Sequence, residues 1–228
     1  MRTGTAAAWL TALFVMAGVP AAMAQTNDKD ETFKSITAVK NEVRETFDQF
    51  RRAVLRGDRE SIKFMLTGEA IHYGGVLLRM AQTWGPARLS RQSVATQISV
   101  LSLRLDTEPE ELMAMKPEEA FARTYEVGVL DPLVFEAMLL VELDLAGDNK
   151  SATARVGIGD KATNATVSFA KHDGRWHVDP FNINNEVSLA LSRYIKARGE
   201  DEKAYVSRYM TETYGDWYDE SSWQPAQP

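Results

Sequence analysis

Apolar residues recur with a helical period near the start of the chain and with a period of two beyond Phe135. Phe33, Ile36, Val39, Val43, Phe47, Phe50 and Val54 fall three or four apart and line one stripe of a long helix. Gly57 supplies its stop signal. Asp58 is placed to cap a short second helix, RESIKFML, with Ile62, Met65 and Leu66 inward. Gly74-Gly75 and Gly85-Pro86 punctuate the next stretch, which predicts a short helix from about Val76 to Thr83 with turns at both glycine sites. RQSVATQISVLSLRL fits two patterns: Val94, Ile98, Leu101 and Leu105 match a helix, whereas Leu101, Leu103 and Leu105 match a strand. Helix is expected for its first half, and the second half stays open. KPEEAFARTYEV has Pro117 at a helical first turn and acids at the positive end of the helix.

After Phe135 the alternation is that of strands. Val141, Leu143 and Leu145 alternate with Glu142 and Asp144; Ala152, Ala154, Val156 and Ile158 alternate with Ser151, Thr153 and Arg155. Ala165, Val167 and Phe169 share a face opposite Asn164, Thr166 and Ser168, and Asp173-Gly174 turns the chain into RWHVD. Short turns between the segments predict an antiparallel meander, greasy on one face and polar on the other. The fold class is therefore α+β, with N-terminal helices covering one face of a curved sheet. A helical extension follows, in which Val187, Leu191 and Tyr194 share a face with Leu189 and Ile195 alongside. One further helix is expected to about Tyr214, then an ordered or partner-bound strap.

The first 24 residues change the picture of where the protein works. Arg2, the uncharged run Ala6 to Val19, Pro20 and the small residues of Ala22-Met23-Ala24 read as a cleaved export signal. The expected organisation is signal 1–24, polar leader 25–31, α+β domain 32–183 and extension 184–228. A periplasmic or secreted location follows, with no membrane span after cleavage. The chain has no cysteine, so disulfides, thiol catalysis and cysteine-based zinc sites are excluded. Its formal charge of −6 argues against nucleic-acid binding.

The order of elements, with the closing VSFAKHDGRWHVDP, resembles the nuclear transport factor 2-like superfamily, a cystatin-like, cone-shaped α+β roll. RGDRESI and MKPEEAFARTYEVG match its second helix and the segment before its sheet. The resemblance runs from about Thr32 to Ile183 and implies an exported bacterial member of unknown activity, since the fold hosts enzymes, binders and scaffolds alike. It also implies that any pocket lies between helices and sheet, and that the outer sheet face can form a homodimer. In enzymes of the family a helix-borne His or Asp works with a Tyr inside the cone.

RWHVD itself invites a proton-transfer pair, His177 and Asp179. Strand alternation places Trp176 and Val178 on one face and Arg175, His177 and Asp179 on the other. Burying the indole and the valine is favourable by about 2–3 kcal/mol each. The opposite register would bury an unpaired charge. His177 and Asp179 are therefore expected outside, and no catalytic dyad is assigned. The ligand-lining candidates are His72, Tyr73, Arg79 and Trp84, with His72 and Tyr73 the pair that an enzyme would use. The three histidines, His72, His172 and His177, fit no metal motif, and no cofactor is expected. Trp217, Tyr218 and Trp223 in the aromatic, acidic tail are candidates for docking a partner, or for packing on their own domain. The expected role is non-catalytic binding of a small apolar ligand or an envelope protein. A cofactor-free hydrolase or isomerase working inside the cone and a structural dimerising subunit are the rivals.

Overall fold

The long apolar stripe forms the helix α1, Asn27–Leu55, in a computed structural model that describes residues 27–125, 135–159 and 161–226. Side chains are described from Ser35 on; the proposed signal and the first two residues of the leader lie outside the described residues. From Ile36 onward the chain is one compact unit. Val43, Phe47 and Phe50 are buried along the stripe, with Val39 and Val54 half-buried beside them. Gly57, at φ +64°, turns the chain in the left-handed region that favours glycine. Asp58 then caps α2 (Arg59–Met65), its carboxylate accepting from the Ser61 backbone N–H at 3.1 Å and the Ser61 hydroxyl at 2.6 Å. Asp58→Ala is expected to lower stability by about 1 kcal/mol, and Asp58→Asn to retain most of it, in urea unfolding.

Helix α3 runs unbroken over Gly68–Thr83, opened by Thr67, whose hydroxyl accepts from the Ala70 N–H at 3.3 Å. The expected turn at Gly74-Gly75 is therefore corrected. These glycines lie inside the helix where α7 (Pro117–Thr124) crosses it, and a Cβ on Gly74 would meet the Pro117 carbonyl oxygen at 2.1 Å. Gly85-Pro86 does start a new element, the short α4 (Pro86–Leu89). Helix α5 spans Val94–Leu105, so the segment with two patterns is helical throughout. Ile98, Val100, Leu101 and Leu103 are all buried, and a helix enclosed on most sides shows no clean stripe. A short α6 (Pro109–Ala114) precedes α7.

The sheet is a four-stranded antiparallel meander in the order β1 (Met138–Leu145), β2 (Ser151–Ile158), β3 (Lys161–His172), β4 (Arg175–Asp179). Asp173 (φ +50°) and Gly174 (φ +78°) make the last hairpin, as Asp-Gly chemistry favours. Trp176 and Val178 are buried, and they join Ala154, Val167, Phe169 and the α1 side chains in one core. The inward face of β1 departs from strict alternation. Pairing shifts between Leu140 and Glu142, which makes Val141 the extra residue of a bulge, and it is exposed; Leu143 stays buried. Ile158, at the far end of β2, is also partly exposed.

Val178 also accepts from the Thr67 N–H at 3.0 Å, which ties the start of α3 to the last strand. Helix α8 (Phe181–Ala197) follows and buries Ile183, Ser188 and Ile195, with Val187 and Leu191 half-buried. Tyr194 and Leu189 are exposed, so the expected stripe is rotated. Helix α9 (Glu202–Tyr214) leads into two single turns of 3₁₀ helix, Gly215–Trp217 and Glu220–Trp223. A second core gathers Leu77 and Met80 of α3, Ile98 and Leu101 of α5, Met210 of α9 and Trp223.

One side chain fastens this tail. Arg104, in the last turn of α5, donates from Nε to the Ala81 carbonyl at 2.9 Å and from Nη2 to Met80 and Trp84 at 3.0 and 2.5 Å. Its Nη1 donates to Ser222 at 3.2 Å and Trp223 at 2.8 Å. All five donors meet backbone carbonyls, three of them at the electronegative end of α3. Burial pushes the guanidinium down to about 10, and it remains charged at neutral pH.

Candidate functional site

A cavity of about 390 Å³ lies where the two cores meet. The end of α1 gives it Val54 and Leu55, α3 gives Tyr73, α5 gives Ala95, Thr96 and Ser99, and the first turns of α8 give Phe181, Asn184, Val187 and Ser188. Tyr125 and Phe135 complete one wall. The volume is within the range of small-molecule sites, which are mainly apolar with a few placed polar groups.

The polar groups form a chain. The Tyr73 hydroxyl lies 3.5 Å from Thr96 Oγ1, which is 2.9 Å from Ser93 Oγ, which is in turn 3.2 Å from Ser188 Oγ. Each hydroxyl donates or accepts by rotating, so the row adapts to either kind of ligand atom. Ser93 is fixed because it caps α5, accepting from the Thr96 N–H at 3.3 Å. Ser188 is fixed because it sits on the buried face of α8.

Aromatic contacts hold the opposite side. The Tyr73 and Phe181 rings meet edge to face at 4.6 Å between centroids, and Tyr125 is wedged among Phe50, Phe121 and Phe135 at 5.4–5.9 Å. The Tyr125 hydroxyl is enclosed without a well-formed hydrogen bond, and the Asn184 amide approaches it. Burial raises both tyrosine hydroxyls, and the Asp179 charge raises that of Tyr125 further. Both are therefore protonated donors at neutral pH. Among the described residues that line the cavity, none is a carboxylate, imidazole, amine or guanidinium. This lining can recognise a neutral ligand, but it offers no group that exchanges a proton near pH 7.

Tyr73 alone of the four ligand candidates lines this cavity. His72 and Arg79 are exposed, on the solvent stripe of α3 with Glu69 and Thr83. Because the helix does not break at Gly74-Gly75, its 100° steps turn His72 away from the side that carries Tyr73. Trp84 is half-buried in the second core, under the Arg88 guanidinium at 4.3 Å. His177 is half-exposed, its ring 5.8 Å from that of His172, and no bond joins it to Asp179. The Asp179 carboxylate instead accepts from the Phe181 N–H at 3.0 Å, and burial raises its titration. No group of three or more potential metal ligands occurs among the described residues. None of the helices they form is long and apolar enough to cross a membrane.

The tail aromatics divide. Trp223 is 2 % exposed and donates to the Tyr218 hydroxyl at 2.8 Å, which itself donates to Ser207 at 3.0 Å. These two pack on their own chain, whereas Trp217 is 82 % exposed. Sequence reasoning missed Ser93, Thr96, Tyr125 and Ser188. A usable signal existed only for Ser188, a lone hydroxyl on an otherwise apolar helical stripe.

Compared with family models, curated proteins and solved structures, the chain matches none.

Proposed function

We propose that the protein is a non-catalytic binding module for an uncharged, amphipathic small molecule held in the cavity between the sheet core and the helical core. The observation that carries this reading is the lining: a row of hydroxyls along one wall, apolar and aromatic side chains around it, and no ionised group. Burying an ionised ligand there would leave its charge unpaired, at a cost larger than the apolar contacts return. A neutral ligand with a hydroxyl or carbonyl at one end meets both kinds of wall. The cystatin-like roll suggested by the sequence is compatible with a ligand between helices and sheet, and the N-terminal segment supports a role outside the cytoplasm. The rival enzyme reading loses its pair, since His72 does not share the cavity with Tyr73.

The test uses the neutral fluorophore N-phenyl-1-naphthylamine with the mature chain. Saturable fluorescence enhancement is expected, and Val187→Trp, which fills the cavity, should remove it while the melting temperature holds. Ser99→Phe, on another wall, should do the same and guards against one variant misfolding. Absence of enhancement, or enhancement that survives both substitutions in folded protein, would refute the proposal.

A further inference from the structure

The tail carries a second concavity, remote in chemistry from the first. A groove of about 260 Å³ is lined by Trp217, Asp219, Ser221, Gln224, Pro109 and Thr107, among others. Its most unusual wall is the Trp217 indole, 82 % exposed on a protein whose other described tail tryptophan, Trp223, is buried. An indole this exposed beside a concavity has its apolar face free for a ligand.

The indole is displayed by a rigid mount. Gly215, at φ +57°, turns the chain out of α9 directly into the 3₁₀ turn that bears Trp217. On its far side Asp219 caps the next turn in a capping box with Ser222. Trp223 and the Arg104 clamp then fix the strap to the second core. A tail anchored at this many points presents its side chains in one arrangement, which lowers the entropy lost on binding.

Around the indole stand polar groups with unused capacity. Asp219 makes its hydrogen bonds through Oδ1, accepting from the Ser221 and Ser222 N–H groups at 2.8 and 3.3 Å and from the Ser221 hydroxyl at 2.5 Å, so Oδ2 is left over. Gln224 is exposed, and its side-chain amide forms no hydrogen bond with the described residues. Arg104 also borders the groove, but all five of its donors are committed to carbonyls. The groove therefore offers an aromatic face, a carboxylate oxygen and an amide, and it offers no free cation among its described lining residues.

That combination fits the face of a pyranose ring. One side of such a ring is a sheet of C–H bonds, apolar and slightly positive, which rests on the negative face of an indole. Its hydroxyls project from the edge, where a carboxylate accepts and an amide does both. We propose that this groove is a subsite for a neutral hexopyranose unit of an oligosaccharide, with Trp217 as the stacking platform and Asp219 and Gln224 as the hydrogen-bonding pair. Acidic sugars are rejected, because the Asp219 carboxylate lines the groove and Arg104 has no donor left to answer a second carboxylate.

The experiment follows the indole N–H resonance of Trp217 by NMR while the folded, full mature chain is titrated with chitotriose, cellotriose, maltotriose and trigalacturonate. At least one neutral trisaccharide should shift that resonance saturably, with a Kd of about 1 mM for one ring's worth of contact. Trigalacturonate should leave it in place. Trp217→Ala, followed by the backbone amide resonances of Asp219 to Gln224 and by calorimetry, should abolish binding without moving the melting temperature, and Gln224→Ala should weaken it about fivefold, the effect of one neutral hydrogen bond. Val187→Trp, in the separate cavity, should leave sugar affinity unchanged, so this subsite stands or falls independently of the proposed cavity ligand. The proposal is overturned if no neutral sugar moves the resonance, if binding survives Trp217→Ala, or if a proline-rich peptide saturates the groove while the sugars do not.

Discussion

Gly74→Ala is expected to destabilise the protein by about 3 kcal/mol in urea unfolding, the upper end of what overpacking a close contact does. The new Cβ would sit 2.1 Å from the Pro117 carbonyl oxygen and 2.8 Å from Phe121 Cβ. One obstacle is backbone and the other is the first atom of a buried side chain, so neither can swing aside. Helices α3 and α7 would have to separate, and Tyr73 and Phe121, in ring contact at 6.2 Å, would move with them. The sign is diagnostic. In an uncrowded helix interior alanine is better than glycine by about 1 kcal/mol. Gly75 is the control: a Cβ there meets only Pro117 Cβ and Cγ at 3.6 Å, which is ordinary contact. Gly75→Ala should thus be neutral or stabilising by up to about 1 kcal/mol. Equal effects at the two positions would show that close helix packing is not the reason for the glycine pair.

Arg104→Met should be the other severe change, lowering stability by about 3–5 kcal/mol, because each buried carbonyl left without a donor loses about 1–3 kcal/mol and some recover a bond to water. Methionine keeps the apolar stem, so the loss reports mainly on the guanidinium. The carbonyls of Ser222 and Trp223 would no longer be tied to those of Met80, Ala81 and Trp84. Trp223 should then leave the second core, seen as a red shift in tryptophan emission and faster proteolysis after Tyr218. Arg104→Lys should recover less than half of the loss, since an ammonium offers three donors from one point and cannot fork between two chain segments. Removing residues 215–228 should lower stability to a similar extent, because Trp223 belongs to that core.

How much of this was legible in the residues depends on the kind of order involved. The first stripe from Val39 to Val54, the Asp58 cap, the four strands and the inward set of Trp176 and Val178 follow from local period and turn chemistry, and the fold has them, whereas Ile36 is exposed and the Phe33 side chain lies outside the described residues. Gly74-Gly75 was misread because glycine signals both a turn and a close approach, and only the neighbour across the gap decides between them. Val141 was misplaced because it is itself the residue inserted between Leu140 and Glu142, and alternation carries no mark of the insertion. Nothing in the sequence sets Arg104 apart from other basic residues; its five acceptors come from two segments far from it in the chain. The cavity was the least legible part. Tyr73 was singled out beside His72, yet its partners Thr96, Ser93 and Ser188 are far apart in sequence and meet only where α5 and α8 come together.

The bulge in β1 has a further effect. This strand is at the rim of the sheet, paired to β2 alone, and a rim with free N–H and C=O groups is a template on which another extended chain can grow. At Val141 the pairing slips by one residue, and Gly157 beneath it has no room for a Cβ, which would meet Val141 Cγ1 at 2.6 Å. An incoming strand would find its ladder out of step halfway along, so the defect guards the native fold against fibrous self-association.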